Sequence, residues 1–230
     1  MQPVCYLPHK ANDPMVQAMS NTRQQRFFLL CYFLFFTAGI LLSVSKGKAA
    51  SFLFLNSFHR PWLDSFFIYC TNLGDGFFAV MLSLIFFFVA KEKKLGFVLF
   101  LAYASTGIIA QIIKPLIESP RPQVYFAPQW LPFFIKGVIH TGHSSFPSGH
   151  TATAFALAVV FAWRYSSKWL QLLLLLLAML VGFSRVYLSQ HFLADVLAGS
   201  FIGVAGGLLC IYLCRGIKEE GLVLKKKQEK

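Results

Sequence analysis

Read only for apolar and polar positions, the chain is a series of long apolar runs with short polar breaks. The runs cover residues 27–45, 77–90, 95–113, 151–163, 170–183 and 192–213. A helix needs about 20 residues to cross a bilayer, and lipid offers no partner to an unpaired peptide group. The second, fourth and fifth runs are short and are expected to borrow residues 71–76, 148–150 and 184–188. The pattern predicts an all-α bundle of six transmembrane helices. The apolar core of the first run exceeds the roughly 7–15 residues of a signal peptide, so it reads as a mature helix. Between the first two runs, residues 50–74 interleave Phe52, Phe54, Leu55, Phe58, Trp62, Phe66 and Phe67 with polar groups at roughly helical spacing. That predicts an amphipathic helix in the membrane interface, which Pro61 breaks or starts.

Composition agrees: 57% of residues are hydrophobic and 13% charged, against about 25% charged in soluble domains. A formal charge of +12 raises the question of nucleic acid. The basic residues are scattered between apolar runs, however, and read as membrane topology instead. With both termini inside, the outer segments hold Lys46, Lys48, Arg60, Lys114, Arg121, Lys136 and Arg185, one third of the 21 Lys and Arg. The remaining two thirds fall inside, which sets the orientation. The organisation expected is a cytosolic segment (1–26), a membrane domain (27–213) and a basic cytosolic tail (214–230). Cys5, Cys31, Cys70, Cys210 and Cys214 form no disulfide framework and read as small buried apolar groups. Cys210 and Cys214 are i,i+4 neighbours without other metal ligands nearby in sequence. Lys46, Lys48 and Lys136 read as snorkelling interface residues.

The polar residues at the span ends carry the chemistry. Lys114 closes the third span and Arg121 follows between Pro120 and Pro122; Ser148, Gly149 and His150 open the fourth. Arg185 closes the fifth, and His191 with Asp195 opens the sixth. All lie on the outer side in the topology above. If His191 opens a helix, Asp195 shares its face at i+4. A carboxylate on one ring nitrogen leaves the other as a lone pair, a nucleophile or base. Three cations beside the first amides of a helix suit an anion with several oxygens, above all phosphate. His150 is a second titratable group, so two histidines can divide nucleophilic attack and proton donation.

Lys114…Arg121-Pro122, Pro147-Ser148-Gly149-His150 and Ser184-Arg185…His191…Asp195 together resemble the type-2 phosphatidic acid phosphatase superfamily, with the internal spacing of all three motifs kept. The resemblance implies a metal-independent phosphatase without a cofactor. It implies that His191 attacks phosphorus and forms a phosphohistidine, and that Asp195 orients it. His150 then protonates the leaving group and later activates water. Lys114, Arg121, Ser148, Gly149 and Arg185 bind the phosphoryl oxygens. The spans point to the membrane branch and a lipid phosphate or diphosphate: undecaprenyl diphosphate, phosphatidylglycerol phosphate, phosphatidic acid or a lipid A phosphate. The expected setting is a bacterial inner membrane, with the site facing the periplasm and both termini cytoplasmic. Membrane lipids are the expected surroundings, with no nucleic acid and no obligate protein partner. The helix at residues 50–74 and the loop with Tyr125, Phe126, Trp130, Phe133 and Phe134 are expected to shape lateral access. His140 and His143 read as loop histidines. Two rivals stand beside this reading. One is a zinc hydrolase using His140, His143, His150, His191 and Asp195. The other is an anion transporter using the same cationic cluster.

Overall fold

Helix α1 (Thr22–Asn56) is 35 residues long and breaks at Gly47, where φ is 75° and ψ 174°. That φ lies in the left-handed region, which glycine reaches without a Cβ clash. The computed structural model describes residues 22–126, 135 and 144–217. Trp130, Phe133, Phe134, Lys136, His140, His143 and the tail from residue 218 lie outside the described residues. Pro61 starts α2 (Pro61–Cys70), a first-turn position where its missing N–H does no harm. A 3₁₀ turn (Thr71–Gly74) follows. Asp75 then caps α3 (Gly76–Leu84), which ends in a π turn (Ile85–Val89). Next come α4 (Lys93–Leu116) and the single turn α5 (Pro122–Tyr125). Three helices complete the chain: α6 (Gly149–Arg164), α7 (Lys168–Tyr187) and α8 (Leu193–Cys214). Among the described residues every regular element is helical.

Among the described residues four helices are long and apolar enough to cross a membrane: Arg26–Asn56 of α1, then α4, α7 and α8. The segments Pro61–Gly74 and Gly76–Val89 make a fifth if they count as one span, bent by 55°. Helix α6, with 16 residues, is shorter than a full crossing. Thr151 through Val160 are all buried, so its middle meets protein on every side. The stretch 50–74 is not one helix; it divides into the end of α1, a link, α2 and the 3₁₀ turn. Its two faces do differ, with Phe52 and Phe67 buried and Phe54, Phe58, Trp62 and Phe66 exposed.

Helix α6 packs against α8, α7 and α4. Lipid is as apolar as leucine, so helix association here rests on close packing rather than on release of water. Gly199, Gly203 and Gly207 recur every four residues along α8. A Cβ on them would come within 2.4 Å of Ser148 O, Ala152 O and Val159 Cγ1 respectively. The small-residue stripe lets the two backbones touch and sets the height of the α6 N-terminus against α8. At the opposite end, Arg164 Nε donates to Glu92 Oε2 at 2.8 Å, tying α6 to the start of α4.

Candidate active site

The N-terminus of α6 and the C-termini of α4 and α7 meet at one end of the bundle. Lys114 lies in the last turn of α4 and Arg185 in the last turn of α7. Arg121 precedes α5 and Ser148 is the N-cap of α6. Lys114 lies within coulombic range of Arg121 and Arg185. His150 is within range of Arg185, His191, Lys114 and Arg121. With Asp195, which lies within range of Arg121 and His191, six of the residues singled out from sequence share one electrostatic neighbourhood. The other two join by hydrogen bond or sequence: Ser148 N donates to Asp195 O at 3.0 Å, and Gly149 follows it in the chain.

His191 does not open a helix. Helix α8 starts at Leu193, behind an extended Phe192, and His191 sits in the turn leaving α7. Its N–H donates to Arg185 O at 3.1 Å, with Ser189 in the left-handed region at φ 55°. The helical i+4 geometry expected for His191 and Asp195 is therefore replaced by a turn. The contact survives because Asp195, in the first turn of α8, reaches back. His191 Nδ1 stands 3.6 Å from Asp195 Oδ2, an ion-pair separation rather than a made hydrogen bond. That oxygen accepts from Ser145 Oγ at 2.6 Å and from Phe192 N at 2.8 Å. Burial pushes the His191 imidazole down to about 4. Asp195 opposes the shift, and Arg185 and Arg121 add to it.

The two arginines are buried and held by neutral partners. Arg121 Nη1 donates to Gln190 Oε1 at 2.7 Å and Gln190 O at 3.3 Å. Burial lowers the Arg121 guanidinium from its ordinary value, and Asp195 opposes the effect. Arg185 Nη1 donates to Thr71 Oγ1 at 2.7 Å. Among the described residues, Arg185 Nε and His191 Nδ1 are buried without a hydrogen-bond partner. Unmet donors of this kind are rare in folded proteins. Ser148 Oγ accepts from Thr151 N at 3.4 Å and lies 2.8 Å from Thr151 Oγ1, so it caps α6. A Cβ on Gly149 would meet nothing within 4 Å, and its φ is not left-handed. Neither packing nor backbone demands glycine there; its missing side chain leaves room at a helix N-terminus.

A cavity of about 560 Å³ opens from this end along α4. Lys114, Gly149 and His150 line its head, and Tyr103, Gly107 and Ile108 line its length. It therefore runs beside α4, and of the residue 50–74 segment that was expected to shape access it touches the last residue, Gly74, with Gly76 beyond it. Tyr125 and Phe126 instead form an aromatic wall with Phe192 and Phe52, with ring centroids 5.3–5.4 Å apart for Tyr125–Phe192 and Phe52–Phe126. Lys48, expected to snorkel, reaches in to Ser119 Oγ at 3.2 Å and over the Phe192 ring at 4.3 Å. Among the described residues no group of three or more His, Cys, Asp or Glu is placed to hold a metal ion.

Ser145, Thr71, Gln190 and Asp75 were missed from the sequence: the first three are uncharged, and Asp75, though charged, lies outside the three motifs. Asp75 stands 3.7 Å from His150 Nε2 through Oδ2. The signal was a short N-capping acid ahead of an apolar run, between two glycines.

A helical membrane bundle with two histidines, three cations and a helix N-terminus at one end suits an anion with several oxygens. The profile of the PAP2 superfamily matches residues 95–218, and the chain belongs to that family. It is an integral membrane protein. It is 32% identical to phosphatidylglycerophosphatase B of Bacillus subtilis over 174 residues, which is 70% of this chain and 78% of that one. It is 29% identical to lipid A 4'-phosphatase of Bacteroides thetaiotaomicron over 168 residues, 70% of this chain and 74% of that one. Among solved structures, the PAP2-type phosphatidylglycerolphosphate phosphatase of Bacillus subtilis aligns with a TM-score of 0.60 at 28% identity. That alignment covers 82% of this chain and 96% of that one.

Proposed function

We propose that this protein is a lipid phosphatase that removes a phosphate monoester or diphosphate from a lipid head group through a phosphohistidine. One observation carries the reading: His150, His191, Lys114, Arg121 and Arg185 share a neighbourhood containing an unmet Arg185 donor and the open room over Gly149. A tetrahedral dianion satisfies all of these at once. Similarity to phosphatases of lipid substrates supports the same conclusion.

The chemistry divides between the two imidazoles. His191, with Nδ1 toward Asp195, attacks phosphorus through Nε2. An N–P bond forms as the P–O bond to the lipid breaks, and that electron pair goes to the leaving oxygen. His150 gives this oxygen a proton. In the second step water loses a proton to His150 and its oxygen attacks phosphorus. The N–P bond breaks, and its electrons return to His191 as phosphate leaves. The cations hold the phosphoryl oxygens throughout, so no metal ion is needed. The cavity along α4 takes hydrocarbon while its head presents the phosphate. The candidate substrates are phosphatidylglycerol phosphate, phosphatidic acid, undecaprenyl diphosphate and lipid A phosphates.

For topology we take the bent α2–α3 pair and the enclosed α6 as two further crossings, six in all. The excess of basic residues then puts both termini in the cytoplasm and the site at the periplasmic face of a bacterial inner membrane. The test is phosphate release from a short-chain phosphatidic acid by the purified protein in detergent. His191→Ala and His150→Ala each abolish release, and a chelator leaves it unchanged. Retained turnover in both variants contradicts the assignment. Passage of phosphate across vesicles without hydrolysis points to a transporter instead.

A further inference from the structure

The break between α2 and α3 is built with unusual care for a bend. Gly74, Asp75 and Gly76 form it. A Cβ on Gly74 would lie 2.5 Å from the carbonyl oxygen of His150, and one on Gly76 would lie 2.4 Å from the Tyr103 hydroxyl. Both glycines allow the broken backbone to press against α6 and α4. The residue between them is thereby carried to the imidazole. Asp75 Oδ1 accepts from Phe77 N at 2.8 Å, which caps α3 and fixes the carboxylate plane. Oδ2 is then 3.7 Å from His150 Nε2. Contacts of this kind are often long in the unliganded state and tighten with substrate.

A general acid at position 150 faces an electrostatic difficulty. Lys114, Arg121, Arg185 and His191 all lie within its range. Each disfavours a protonated imidazole. A nearby carboxylate is the natural counterweight, and Asp75 supplies it in a site where Asp195 is occupied with His191, Ser145 and Phe192.

We propose that Asp75 is a positioning residue for His150, pairing with the imidazole so that it keeps a proton until the leaving oxygen takes it. The site thus holds two histidine–carboxylate pairs, one for the nucleophile and one for the acid. The inference rests on the hydrolase reading above. Asp75 also lies within range of Arg185, so a role in binding phosphate is the competing explanation.

The two roles separate by leaving group. A lipid alkoxide needs a proton as the P–O bond breaks; a nitrophenolate leaves without one. The experiment compares kcat/KM for short-chain phosphatidic acid and 4-nitrophenyl phosphate in wild type, Asp75→Asn and Asp75→Glu. That parameter reports the steps up to formation of the phosphoenzyme. Asp75→Asn is expected to lower it by about tenfold or more on phosphatidic acid and by less than about threefold on the nitrophenyl ester. Asp75→Glu is expected to recover part of the loss on the lipid. His150→Ala shows the same leaving-group bias. Equal losses on both substrates, or no loss on either, overturn the assignment to His150. A wild type that releases phosphate from neither substrate overturns the hydrolase reading, and this inference with it. Thermal melting of each variant in detergent identifies a loss caused by unfolding. In that case the Glu variant, which keeps the charge and can still cap α3, decides.

Discussion

Ser145 holds Asp195 for His191. Its hydroxyl donates to Asp195 Oδ2 at 2.6 Å, and its own N–H donates to Ser119 O at 2.7 Å, so one residue ties the Arg121 loop to the carboxylate beside His191. Both Ser145 and Asp195 are almost fully buried. A hydrogen bond to a charged group contributes about 1.5–3 kcal/mol. Ser145→Ala is expected to lower kcat/KM for a lipid phosphate by about tenfold, or about 1.4 kcal/mol of transition-state binding. Ser145→Thr keeps the hydroxyl and most of the activity. Steady-state kinetics on the three proteins checks this.

Gly149 and Gly203 should fail in opposite ways. A Cβ at 149 enters open space, so Gly149→Ala folds with the melting temperature of wild type. It is expected to crowd the proposed phosphate site, however, and to raise KM or the inhibition constant for orthovanadate several-fold. A Cβ at 203 meets Ala152 O at 2.4 Å. Gly203→Val is expected to lose about 1–3 kcal/mol of stability or more through overpacking, seen as a lower melting temperature.

The acid side of the stability profile follows from His191. Its folded-state value of about 4 lies below the ordinary 6.5. Between these two values the unfolded chain binds the proton and the folded one does not. Stability is therefore full above about pH 6.5 and falls as pH drops toward 4, by on the order of 3 kcal/mol for this group. Melting curves from pH 7.5 to 4 in detergent should show the decline. His191→Asn should make it shallower.

Much of the site was legible because its motifs are local. Pro147-Ser148-Gly149-His150 spans four residues and starts a helix wherever the rest of the chain goes. The partners that hold those groups were not legible. Ser145, Thr71 and Gln190 are ordinary polar residues whose roles appear only once distant segments touch, as Thr71 does with Arg185 at 2.7 Å. The turn at His191 was misjudged because Asp195 at i+4 also suits a helix that starts earlier. Apolar length found the four long apolar helices but could not reveal the bend at Gly74–Gly76, or that the middle of the short helix α6 is enclosed by protein. The stripe Gly199, Gly203 and Gly207 was readable in principle. It was overlooked because small residues carry no charge or hydropathy signal.

The central claim is that His191 takes the phosphoryl group. Its most direct measurement is rapid alkaline quenching of the purified enzyme during turnover of a short-chain phosphatidic acid, followed by peptide mass spectrometry. An acid-labile phosphoryl group is expected on the peptide containing His191 and is expected to be absent in His191→Ala. Phosphate release without a phosphorylated peptide, or with the phosphoryl group on another residue, would contradict it.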